Sequence, residues 1–189
     1  MKSLYRKITE LGIKKQYETD EAFNISIKSF TSLAFLPEND VIDAFCVLSN
    51  DDRIPSEFIN YFELTYIGVE RGSRNNRKRG PGTFPIELWN VRDRTMSSEP
   101  RTNNSVEAFH NALQSSITNA HPTIWKLVDC LIREDGLATK KLIDIRLGSR
   151  TSNPKYRKVN QKLQYMIQNY DKDNKTTFLE MVSSCLHTF

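Results

Sequence analysis

Cysteine is scarce in this sequence: Cys46, Cys130 and Cys185 lie far apart, and no Cys-x-x-Cys pair occurs. That spacing argues against a disulfide framework and predicts free thiols, packed as small apolar side chains in a reducing compartment. The three histidines, His110, His121 and His187, are equally scattered, so no zinc-finger spacing exists. There is no run of 18 apolar residues, which argues against a membrane span. The opening MKSLYRKITELGIKK has neither an apolar stretch nor a small-residue cleavage site, so it does not read as a secretory signal. Alternation of apolar and polar residues is nearly absent, which argues against a sheet-based fold.

What is present is a globular composition: 38% apolar residues, with 10 Phe, 7 Tyr and 2 Trp among 189. That length suits one domain or two small ones. The net charge of +4 conceals an asymmetry: residues 1–70 carry −5 and residues 71–189 carry +9. A basic C-terminal part fits an anionic partner, of which nucleic acid is the commonest, and equally fits ordinary surface charge.

Helical spacing recurs along the chain. Leu4, Ile8 and Leu11 share a face, as do Phe23, Ile27 and Phe30. Pro37 and the acids after it open a stripe of Val41, Ala44, Phe45 and Leu48. Pro55-Ser56 opens another, with Phe58, Ile59, Phe62 and Tyr66. The segment PIELWNVRDRTM fits either a helix or an extended chain. Val106, Phe109, Leu113 and Ile117 predict a helix over 104–118. A long helix begins at Pro122-Thr123 and extends to about Leu147, with Gly136 as its weak point and Trp125 expected in its core face. Two helices close the chain, one carrying Val159, Leu163, Met166 and Tyr170, the other Phe178, Val182, Cys185 and Leu186. Between them Asp171, Asp173 and Asn174 predict a loop and helix cap; the Gly and the twelfth-position Glu of a calcium loop are absent. The fold class is mainly α.

One loop interrupts the pattern. Residues 68–84, GVERGSRNNRKRGPGTF, hold four of the seven glycines and five cations: Arg71, Arg74, Arg77, Lys78 and Arg79. Without apolar periodicity the loop is expected to be mobile. It fits two uses, a solvated tether or a contact along a nucleic-acid backbone. Five phosphate contacts would give a salt slope of about −4 to −5.

The densest cluster of chemistry is RTNNSVEAFH, residues 101–110. On a helix Glu107 and His110 share a face. Glu107 falls in the first turn, where the helix dipole favours a carboxylate. Arg101, Asn103 and Asn104 stand just outside, placed to grip a phosphate together with the helix N–H groups. Taken alone, the stretch reads equally well as a capped helix start with a partly buried His110.

The stretch FPIELWNVRDRT…EPRTNNSVEAFHNALQSSITNAHPTIWKLVDCL resembles the C-terminal part of Mutator-like element (MULE) transposases. Matching residues are Trp89-Asn90-Val91, Arg94, Pro100 to Asn104, Val106-Glu107, His110, and His121-Pro122 with Trp125. SFTSLAFLPENDVIDAFCVL and YFELTYIG are similar to the helical segment that these enzymes insert into their catalytic domain, so the resemblance spans about residues 4–135. Ala108 and Phe109 depart from the family's usual Gly and Trp. The family implies a ribonuclease-H-like fold in which two Asp and one Glu hold two Mg²⁺ ions for DNA strand transfer. Glu107 matches the third carboxylate, and the segments that carry both Asp residues have no counterpart here.

The resemblance therefore implies a helical insertion-type segment (1–67), a basic linker (68–84), the Glu-bearing helix with the following long helix (85–150), and a helical tail (151–189). It implies a truncated transposase-derived chain with its catalytic sheet missing, which is inactive alone and has no cofactor of its own. Three roles follow as expectations. The chain contacts DNA without reading sequence, through the loop cations with Arg101, Asn103, Asn104 and His110. Alternatively it is a helical module that binds an intact transposase or a second copy through Val106, Phe109, Leu113 and Trp89. In the third, a partner chain supplies the two Asp residues and Glu107 completes the metal site. The expected location is intracellular and, by the resemblance, nuclear; neither a membrane nor a small-molecule substrate is implied.

Overall fold

The computed structural model describes residues 2–71, 78–117, 123–148 and 154–186. It is mainly helical, as the spacing predicts. The chain forms two compact units: Met1–Glu99 with Lys158–Phe189, and Pro100–Arg157.

In the first unit, α1 (Lys2–Glu10), α2 (Lys14–Thr19) and α3 (Glu21–Ser32) precede a 3₁₀ turn at Leu33–Phe35. Next come α4 (Glu38–Ser49) and α5 (Ser56–Phe62), which continues into a π-helical turn at Glu63–Ile67. The boundaries follow local chemistry. Asp20 caps α3 by accepting from the Phe23 N–H at 3.0 Å. Pro37 precedes α4, whose first turn carries Glu38 and Asp40, and Pro55 precedes α5. α3 buries Phe23, Ile27 and Phe30, α4 buries Val41, Ala44, Phe45 and Leu48, and α5 buries Phe58 and Phe62.

Phe30 is the hub of this core. Its ring meets those of Phe45, Phe58 and Phe62 edge-on, with centroids 6.2, 5.4 and 5.1 Å away. That geometry sets the positive ring edge against the negative ring face of its neighbour.

The C-terminal helices complete the same core. From Lys158 onward, α10 (Pro154–Gln168) belongs to this unit and buries Leu163 and Ile167. A 3₁₀ turn at Lys172–Asn174 leads into α11 (Lys175–Cys185), which packs on α3 and α4 and buries Phe178, Leu179 and Val182. Asp171 accepts from the Asp173 N–H and from Asn174 Nδ2, the cap that its sequence predicts.

A polar clasp joins the turn to α4. Tyr170 donates to Asp40 Oδ2 at 3.1 Å, Lys172 Nζ lies 3.1 Å from Asp40 Oδ1, and Lys175 pairs with Asp43 at 3.5 Å. Burial alone would raise the Asp40 carboxyl, but its hydrogen bonds to Lys172 and Tyr170 outweigh that and hold it below the ordinary carboxylate range.

The segment PIELWNVRDRTM forms two short helices, α6 (Ile86–Trp89) and α7 (Arg92–Met96), where the sequence left helix and extended chain open.

The second unit contains α8 (Asn104–Ser116) and α9 (Ile124–Arg146), which contact one another. Thr123 caps α9 by accepting from the Lys126 N–H. Among the described residues of this unit only Cys130 is fully buried. Trp125, expected in a core, is 76% exposed. Helical spacing places it on an apolar stripe of α9 but does not determine what that stripe faces. The thiols also differ from expectation: Cys130 is buried, Cys185 half-buried and Cys46 exposed.

Two outcomes test this packing. Phe30→Ala removes the ring that three others meet and should cost about 3–5 kcal/mol in chemical denaturation. The second concerns Asp51, whose carboxylate takes two hydrogen bonds from the Arg53 side chain and one from Ser26. The Arg53 hydrogen bonds chiefly hold its pKa at about 2. A folded pKa below the unfolded one gives stability that is present above the unfolded pKa and lost as pH falls through the folded one. Asp51→Asn should therefore remove on the order of 1 kcal/mol of stability at pH 7, after allowance for the exposed guanidinium, and little at pH 2.

Candidate functional site

The Trp89-Asn90-Val91 run is a structural latch within the first unit. Trp89 Nε1 donates to the carbonyls of Tyr66 and Phe84 at 3.3 and 3.2 Å. The Asn90 side chain donates through Nδ2 to the Leu36 carbonyl at 2.9 Å, and its Oδ1 accepts from the Arg92 N–H at 2.9 Å. The Val91 N–H donates to the Ala34 carbonyl at 2.8 Å. One amide side chain thus satisfies the carbonyl that ends the 3₁₀ turn and the N–H that opens α7. The sequence reading missed this role: an Asn beside a Trp gives no signal of the carbonyl it reaches 54 positions away.

Part of the basic loop is ordered as an antiparallel ladder. β1 (Glu70–Arg71) pairs with β2 (Lys78–Arg79), with Glu70 opposite Arg79 and Arg71 opposite Lys78. Arg79 anchors it by donating to Glu63 Oε1 at 2.6 Å and to the Gly68 carbonyl, with Glu70 Oε1 at 3.4 Å. Charge alone made Arg79 one of five equivalent cations; its position directly across from Glu70 is what singles it out. Gly68 has φ +89°, and a Cβ there would stand 1.8 Å from the Gly80 carbonyl oxygen, so only glycine lets the two chain segments close. Arg71 and Lys78 are exposed. Arg74 and Arg77 lie outside the described residues.

In the second unit the RTNNSVEAFH stretch opens α8. The N–H groups of Val106 and Glu107 donate to the Asn103 carbonyl, each at 2.9 Å, but the Asn103 side chain makes no cap hydrogen bond. Glu107 lies in the first turn, as the sequence predicts. Glu107 and His110 are both exposed, so the expected partial burial of the imidazole is not found; the His110 and Phe109 ring centroids lie 6.2 Å apart. Asn103 and Asn104 are exposed. Arg101 is half-buried, and burial pushes its guanidinium below the ordinary arginine value. Of the four residues in the interaction reading, Val106 and Phe109 are exposed, Leu113 is half-buried, and Trp89 is packed in the first unit.

The donor set can be compared with the metal chemistry that the resemblance implies. Mg²⁺ needs near-octahedral oxygen donors, with carboxylates converging on it. Among the described residues no group of three or more His, Cys, Asp or Glu is placed to hold a metal ion. One exposed carboxylate does not by itself make the donor set of a two-metal centre. Also among the described residues, no helix is long and apolar enough to cross a membrane.

No family model, curated protein or solved structure matches this chain.

The latch yields a direct test. Asn90→Ala leaves the Leu36 carbonyl and the Arg92 N–H without their partner and should lower stability by about 1–3 kcal/mol in urea titration. Asn90→Asp retains the acceptor for Arg92 but loses the donor to Leu36, and should recover part of the loss.

Proposed function

We propose that this chain derives from a MULE transposase and contacts DNA without cutting it. The observation that carries the reading is the ordered run of motif matches, Trp89-Asn90-Val91, Pro100 to Asn104, Val106-Glu107 and His110, in the sequence. On this reading Glu107 is the third carboxylate of an ancestral trio and is vestigial. The DNA contact is electrostatic. Arg71 and Lys78 are exposed on the ladder and Arg79 supports it through Glu63; on this reading the charges of Arg74 and Arg77, read from the sequence, add to the contact. Four such cations give a salt slope of about −3 to −4 and no preference among sequences. Arg101, Asn103, Asn104 and His110 form a second patch suited to a phosphate. The proposed location is the nucleus.

A second reading, a helical interaction module for an intact transposase or a second copy, is favoured by one observation. α9 exposes Ile124, Trp125 and Ile132, at 70%, 76% and 65%. Such a stripe is costly to leave in water. In a third, separate reading a partner chain supplies the two Asp residues and Glu107 completes the metal site.

One experiment addresses both activity and contact. The purified chain is incubated with supercoiled plasmid and Mg²⁺, then run beside a mobility assay on duplex DNA. The expected result is retardation without nicking, with retardation weakened in Arg71→Gln/Lys78→Gln. Nicking that Glu107→Gln abolishes would overturn the inactive reading, and a salt-independent shift would overturn the electrostatic one.

A further inference from the structure

Between Asp144 and Asp171 the sequence has six cations, Arg146, Arg150, Lys155, Arg157, Lys158 and Lys162, and no acid. This acid-free run accounts for much of the positive balance, and its last part is α10. From Lys158 the helix is fixed on one side. Leu163 and Ile167 are 0% and 1% exposed, and Gln164 Nε2 donates to the Thr95 carbonyl at 2.9 Å and to Ser98 Oγ at 2.8 Å. The other side presents Lys158, Gln161, Lys162, Tyr165, Gln168 and Asn169, all exposed. These positions follow i, i+3, i+4, i+7, i+10, i+11, a single stripe along the helix.

Three features of the stripe point to one ligand. Lys158 and Lys162 stand one turn apart, where like charges weaken a helix, and neither has an ion-pair partner among the described residues. Lys7 and Lys14, on α1 and α2, are paired with Glu10 and Glu18. The nearest acid in sequence, Asp171, is engaged by the Asp173 N–H and by Asn174. Tyr165 lies in the middle of the stripe with 67% of its surface in water. Cations that meet phosphates, amides that donate hydrogen bonds, and an open ring that meets a base face are the parts of a single-strand platform.

We propose that the outward face of α10 binds single-stranded nucleic acid, with Lys158 and Lys162 on the phosphates and Tyr165 stacked on an unpaired base. The proposal requires no transposase ancestry and uses a surface separate from the 70–79 ladder. The test is fluorescence anisotropy with a labelled oligothymidine of about 20 nucleotides, against a duplex of equal length. The single strand should bind more tightly. Tyr165→Ala should weaken it about tenfold or more and leave the duplex nearly unchanged. Lys158→Gln/Lys162→Gln should reduce the single-strand salt slope by about 1.4. Arg71→Gln/Lys78→Gln should leave single-strand binding intact, so failure of the ladder contact is distinguishable from failure here. Circular dichroism confirms that each variant is folded; Tyr165→Phe, which keeps the ring, should retain the affinity. Unchanged single-strand affinity in Tyr165→Ala, or an unchanged slope in the lysine pair, overturns the proposal. So does binding to phosphatidylserine vesicles that depends on the lysines and resists competition by the oligonucleotide.

Discussion

The packing of α11 against α3 is the constraint on which the first unit depends. α3 contributes Phe23, Ile27 and Phe30 to the core, and the aromatic side chains of α4 and α5 gather around Phe30. That cluster is finished by Phe178, Leu179 and Val182, contributed from the far end of the chain. The Asp40–Tyr170–Lys172 clasp fixes where the returning chain turns, so the polar and apolar contacts specify one register between α4 and the C-terminal helices. The unit is therefore discontinuous in sequence, and residues 100–157 lie between its two parts as a unit of their own.

Two further elements are positioned by this core. The Asn90 side chain holds the α6–α7 segment to the end of the 3₁₀ turn, and Gln164 ties α10 to the end of α7. α10 thereby gains a fixed inner side and a free outer one. A ligand surface on a helix already seated in a core has little conformational entropy to lose on binding, which favours the outer stripe over a floppy basic segment of the same charge. The ladder follows similar logic. Arg79, held by Glu63 and the Gly68 carbonyl, supports the segment from which Arg71 and Lys78 project.

Much of the helical framework was legible because its apolar periodicity is strong. The stripes of α3, α4, α5 and α11 appear in the sequence at the spacing later found buried, and the acids after Pro37 mark the N-terminus of α4. The return of α11 to α3 was not legible, since amphipathic spacing gives each helix a buried face but not the partner for it. The same limit explains Trp125. The basic loop read as featureless because a ladder of two residues per strand leaves no alternation to detect, and Arg79's ion pair depends on a glycine turn that composition alone does not reveal. The α10 stripe was detectable by counting charges in windows, whereas a division at residue 70 averages it away. For the candidate site, the start of α8 and the first-turn place of Glu107 were legible; the exposure of His110 and the latch role of Asn90 were not, because both are set by tertiary contacts.

Amide hydrogen exchange followed by mass spectrometry tests the central claim most directly, because protection reports which segments open together. Peptides covering α3 and α11 should show matching protection and lose it at the same denaturant concentration, as two parts of one cooperative core. Fast exchange throughout α11 while α3 stays protected would contradict the account, because the N-terminal helices would then hold their core without the returning chain.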